Sequence, residues 1–147
     1  MELIIYGIYL FLAVFLAGNM TTLQIQHYGI YPFVGKENFQ NYIRANNHAA
    51  LGPSILPAFL LLVINVILLF YKPAFFSTEA ALLSLALNGI ALVSTFVWQR
   101  KLQGQMATEG YDENKIKLLN STNWIRTIAF LLQAIMAVTV TLKAIGW

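Results

Sequence analysis

The side chains best suited to chemistry in this sequence are two histidines, His27 and His48, and Arg126, which stands just inside an apolar run. Imidazole titrates near neutral pH, so each histidine is a candidate general base. From Lys36 to Leu51 there is no Gly or Pro, and Glu37, Asn41, Arg44 and His48 recur at spacings of 4, 3 and 4. That periodicity sets a carboxylate, an amide, a guanidinium and an imidazole on one helical face. Such a row either binds a ligand or presents a solvated surface. The two histidines would also suit axial ligation of a b-type haem, which would make the chain an electron-transfer protein. No H-E-x-x-H and no Glu-x-x-His pair is present, so no zinc or di-iron centre is expected.

These residues sit in a chain built for lipid. Of 147 residues 59% are hydrophobic and 10% charged, against about a quarter charged in soluble domains. The absence of cysteine excludes disulfides, covalent c-type haem and iron–sulfur ligation. A net charge of +3 without any basic run gives no support to nucleic-acid binding. Phosphate loops, nucleophile elbows and dinucleotide fingerprints are absent too.

Four apolar stretches must position the candidates. Leu3 to Met20 is almost wholly apolar and continues into the polar residues Asn19, Thr21, Thr22, Gln24, Gln26 and His27, before Gly29, Pro32 and Gly35 mark a loop. No Lys or Arg precedes Lys36, so this span lacks the positive start of a secretory signal and is expected to be retained. A second helix is expected from Lys36 through Tyr71, kinked at Gly52, Pro53 and Pro57. A third follows from a cap at Ser77 or Thr78 to Trp98, carrying Ser84, Asn88, Thr95 and Gln99 near one face. These residues and Asn65 read as helix-packing groups. After the polar segment Arg100 to Gly110, Asp112 is the expected N-cap of a last helix reaching Ile145. The expected fold is therefore all-α, a single integral membrane domain. It is an up-down four-helix bundle with spans near 3–25, 49–71, 79–98 and 125–145, helices 2 and 4 extending beyond the bilayer on one face.

Seven basic residues, Lys36, Arg44, Arg100, Lys101, Lys115, Lys117 and Arg126, fall on one side of that arrangement and two, Lys72 and Lys143, on the other. The excess of positive charge predicts a cytoplasmic first side, with both termini on the non-cytoplasmic side of a bacterial inner membrane. The same topology predicts that Gln24, His27, Tyr28, Tyr31, Glu37, Asn41, Arg44, His48, Trp98, Gln99, Asn120, Asn123, Trp124 and Arg126 gather at one end. An intramembrane arginine normally faces the protein interior and finds a partner. Glu37 is the expected one.

The string STNWIRT at Ser121 to Thr127, the Gly-containing first span, the HYGIYP loop and the Pro-rich start of span two together resemble the anthrone-oxygenase-like family of small four-span membrane proteins, in its branch with an N-W-x-R sequence. The resemblance touches most of the chain. It implies a four-helix membrane fold polar at one end and, for some members, oxidation of an anthrone by O₂ without an evident cofactor. Asn123, Trp124 and Arg126 would then line the site. Such a reaction needs a base, here His27 or His48, and a cation with donors to hold the resulting oxyanion, here Arg126 or Arg44 with Asn123 or Asn41. Trp98, Trp124, Tyr28 and Tyr31 would stack on a planar ring. The expected ligand set is completed by Gln24 and Glu37. From another class comes the reading as a non-catalytic accessory subunit, whose partners would be the lipid bilayer and a membrane protein or further copies of the chain.

Overall fold

The computed structural model describes all of residues 1–147 and contains helices and no strand. Four helices are long and apolar enough to cross a membrane, Glu2–Phe33, Leu51–Phe70, Thr78–Glu109 and Glu113–Ala144. Within them lie α1 (Glu2–Thr22), α3 (Leu56–Phe70), α4 (Thr78–Ser94) and α6 (Glu113–Ala144). Two shorter helices, α2 (Phe39–Ala49) and α5 (Arg100–Glu109), stand at one end. Helix α1 packs on α3 and α6, and α4 packs on the same two, while the diagonal pairs meet only through long side chains across the centre, such as Tyr9 of α1 with Ser84 of α4. The result is a closed ring with alternating direction, the up-down bundle expected.

Local chemistry explains the boundaries. The Ser77 hydroxyl accepts from the Ala80 N–H at 3.2 Å and starts α4, and Asp112 Oδ1 accepts from the Lys115 N–H at 3.0 Å and starts α6. Gly110 ends α5 with φ of 94°, a backbone shape that suits glycine. While α2 is set off from the second span by a turn at Ala50, the segment after Trp98 is helical, so the third long helix runs on to Glu109 as the fourth begins at Glu113. Leu102 and Met106, one turn apart, drive this by burying against Phe39, Ile43, Ile116 and Leu119.

The core comes in two parts. One fills the membrane ring, from Tyr6 and Tyr9 through Leu16 and Leu61 to Phe130 and Ala137. Ala129, Ala134 and Ala137 on α6 are small enough to let neighbouring helices approach. The other, Tyr28, Tyr31, Phe39, Ile43, Leu102, Met106, Ile116 and Leu119, ties α2 and α5 to α6. Between them lies a polar layer containing Gln24, Ser54, Gln99, Asn123 and Arg126, all buried.

Candidate functional site

Three spanning helices lose α-helical geometry where they reach that layer. Leu23–His27, Leu51–Ile55 and Thr95–Gln99 are single π-helical turns, each closed by an N–H that reaches the carbonyl five residues back. Such turns insert an extra residue and redirect side chains, often at functional positions. All three contribute to one cavity, and α6 supplies its fourth wall through Arg126. Prolines explain one of them. Pro57 has no N–H to give to the Pro53 carbonyl four residues back, and Asn19 Nδ2 of α1 donates to that carbonyl at 2.8 Å. The same amide donates to Ser54 Oγ at 3.1 Å.

Arg126 is 7% exposed. Its Nε donates to Asn123 Oδ1, and Nη2 donates to the Tyr28 hydroxyl at 2.6 Å. Asn123 Nδ2 donates to Gln24 Oε1 at 2.6 Å, and Gln24 Nε2 donates to Asn120 Oδ1 at 2.5 Å. Gln103 Nε2 reaches the Tyr28 hydroxyl from the other side at 3.3 Å. The guanidinium is thus held by neutral oxygens. The ion pairs of the chain, Lys115 with Glu109 and Asp112 and Lys117 with Glu113, lie elsewhere. Glu37, the expected partner, is exposed and pairs with no cation. It lies in the 3-10 turn Lys36–Asn38 just before α2, whose buried face is set by Phe39 and Ile43.

Two small adjoining cavities meet at Arg126. One, of about 30 Å³, is polar, bounded by His27, Tyr28, Asn46, Gln99, Arg100 and Gln103 among others. The second, of about 20 Å³, is walled by Met20, Ala58, Phe59, Leu92, Phe96 and Phe130. Ser54, Ile55, Thr95 and Arg126 belong to both. No carboxylate lines either, while Arg100 adds a second cation at the polar rim. Each has room for only a few water molecules.

His27 is half-buried beside Tyr28, Tyr31 and Tyr42. Its Nε2 lies 3.2 Å from the Tyr31 hydroxyl, which accepts from Asn46 Nδ2 at 3.0 Å. The hydroxyl proton of Tyr31 is then free to point at the imidazole. Gln24, His27, Tyr28, Asn123 and Arg126 therefore come together, with Tyr31 behind them.

The other residues singled out from the sequence stand apart. Asn41, Arg44 and His48 do share one exposed face of α2, while Glu37, also exposed, lies in the 3-10 turn Lys36–Asn38 that precedes it. Arg44 Nε donates to the Ala107 carbonyl at 2.9 Å, linking α2 to α5. His48 is exposed and lines neither cavity. Trp98 and Trp124 are 36% and 45% exposed and line neither cavity. They suit the membrane–water boundary, where such rings anchor helices. Asn46, Ser54 and Gln103 reach the cavity without having been singled out. Asn46 follows the apolar pair Phe39 and Ile43 at spacings of 4 and 3, and Gln103 lies one turn beyond Gln99, so both had a periodic signal.

Comparison with protein-family models, with curated proteins and with solved structures found no match to this chain.

Proposed function

We propose that this is a membrane-embedded binding protein for a small lipid-like or planar molecule, held at the polar, aromatic end of the bundle. The supporting observation is Arg126, a buried guanidinium with no carboxylate beside it, facing two adjoining cavities. A buried cation without a counter-charge is costly, and natural proteins keep one where it serves a function. A ligand with an anionic or strongly accepting end would supply the missing charge. In the proposed orientation the site lies at the cytoplasmic side of a bacterial inner membrane, with both termini opposite.

The placement of His27 on the same cavity as Arg126 favours catalysis as an extension, along the line of the anthrone-oxygenase resemblance. An anthrone CH₂ would become a carbonyl, one oxygen of O₂ entering the product and the other leaving as water with the two hydrogens. His27 would take the first proton once its Nε2 is released from the Tyr31 hydroxyl, and Arg126 would hold the resulting oxyanion. A fused-ring substrate exceeds the space present, so the three π turns would have to spread around it.

Binding of a hydroxylated anthrone to protein in lipid nanodiscs, with O₂ uptake recorded alongside, tests both parts. Saturable binding that is lost in Arg126→Gln supports the site, and O₂ uptake lost in His27→Ala supports catalysis. Protein that binds nothing and isolates only with a stable membrane partner or as a fixed oligomer would favour the accessory-subunit reading instead.

A further inference from the structure

The cavities also specify a class of ligand and its route, an inference that rests on the binding reading above. Arg126 has five N–H groups. Its hydrogen bonds to Asn123 and Tyr28 use two. Nη1 and one N–H of Nη2 therefore have no protein acceptor. The space that Arg126 lines, about 30 Å³ on the polar side and about 20 Å³ on the apolar side, is of water size. A carboxylate fits such a space with least rearrangement. A phosphodiester headgroup or a fused ring system needs more.

The apolar cavity leads toward lipid. Phe59 of α3 and Phe96 of the π turn after α4 both line it, with ring centroids 6.0 Å apart. They are 41% and 52% exposed on the outer surface of the bundle. Outside them an open groove of about 490 Å³ runs along Leu51, Gly52, Ile55, Leu56 and Phe59. Ile55 and Phe59 belong to both the groove and the apolar cavity. Apolar lining therefore runs from the lipid-facing surface of α3 inward to the guanidinium, and polar lining continues to the aqueous end.

We infer that the ligand is a single-chain amphiphile with a carboxylate head, which slides in from the bilayer between Phe59 and Phe96. The carboxylate meets the free N–H groups of Arg126 and the chain stays in the groove along Leu51 to Phe59. Bidentate binding of a carboxylate by a guanidinium is strong where water is excluded. The aromatic pair acts as the door. No covalent step is involved.

Native mass spectrometry of the whole protein, titrated with palmitate, methyl palmitate, palmitoyl lysophosphatidate and anthracene carboxylate, tests the ligand class. Palmitate is expected to bind saturably, its methyl ester to bind weaker by on the order of 30-fold, and Arg126→Gln to lose palmitate by a similar factor. Equal binding of acid and ester overturns the inference, as does tighter binding of lysophosphatidate. Anthracene carboxylate bound in preference to palmitate would overturn it while leaving the binding reading intact. If no probe binds, or if Arg126→Gln binds them all as well as the natural chain does, both readings fall.

The route has its own test, with variants outside the core. Phe59→Ala and Phe96→Ala trim rings that are 41% and 52% exposed on the outer surface, so the bundle should fold, and palmitate uptake from vesicles should quicken several-fold while equilibrium affinity falls far less than in Arg126→Gln. An unaltered uptake rate in both variants overturns the lateral route.

Discussion

Two buried polar clusters share this bundle, and they differ in what they ask of the chain. Deep in the ring, Ser84 Oγ donates to Asn65 Oδ1 at 2.7 Å, Gln133 Nε2 donates to Ser84 Oγ at 2.6 Å, and the Tyr9 hydroxyl lies 3.0 Å from the same oxygen. These groups are neutral, come from all four spanning helices, and no cavity reaches them. Some amide atoms there go without partners, Asn65 Nδ2 and Gln133 Oε1 among them. The cluster around Arg126 adds a charge, space and three π turns. Hydrogen bonding alone therefore does not distinguish a site from helix packing. What sets the second cluster apart is uncompensated charge next to space and irregular backbone.

Substitutions can break this contrast at either end. The largest effect is expected from Arg126→Met, which should abolish ligand binding while leaving the thermal midpoint of ligand-free protein unchanged or higher, because an isolated buried charge is removed. A fall of the midpoint as large as that of a core truncation would make Arg126 a structural residue. Next comes Tyr28→Phe. It deletes the hydroxyl that accepts from Arg126 and Gln103 and should weaken binding by about 2 kcal/mol, the scale of a hydrogen bond to a charged group. Titration of purified variant protein would measure it. Gln133→Leu in the deep cluster should do the reverse, costing about 1 kcal/mol of stability and leaving ligand affinity alone. Asn19→Ala would leave the Pro53 carbonyl without the donor that replaces the missing proline N–H, and should cost about 1 kcal/mol in thermal unfolding.

The smallest effect lies outside both clusters. The Asp112 carboxyl is held below its ordinary range, first by the hydrogen bond from the Lys115 backbone N–H. A depressed folded-state value means that its support of α6 is present above the ordinary carboxylate range and fades as pH falls through the lowered value. Asp112→Asn should therefore remove a small part of the acid sensitivity of unfolding and leave ligand binding unchanged. A pH series of thermal scans would show it.

Much of the fold could be read in the sequence because its cause is local. Apolar runs of bilayer length, the caps Ser77 and Asp112, and short connections are enough to set an alternating bundle. Topology alone then brought Gln24, Asn123 and Arg126 to one end. Tertiary choices were not legible. On α2 the exposed row Asn41, Arg44, His48 and the inward positions Asn46 and Asn47 are both polar, and Phe39 and Ile43 decide between them by packing on Leu102 and Met106. Of the three π turns, only Leu51–Ile55 has a sequence mark, its Gly52 and Pro53. Leu23–His27 and Thr95–Gln99 contain neither Gly nor Pro, so their register depends on what the neighbouring helices offer. Arg126 was legible as an intramembrane charge, whereas its lack of a carboxylate partner shows only once Glu37 is placed.

On the proposed reading, a bound molecule supplies the missing counter-charge of Arg126. Native mass spectrometry on gently solubilised protein, comparing the natural chain with Arg126→Gln, tests it most directly. The expected result is a co-purifying anionic molecule on the natural chain that is absent from the variant. A natural chain released without any such molecule, or the same adduct on both proteins, would contradict it.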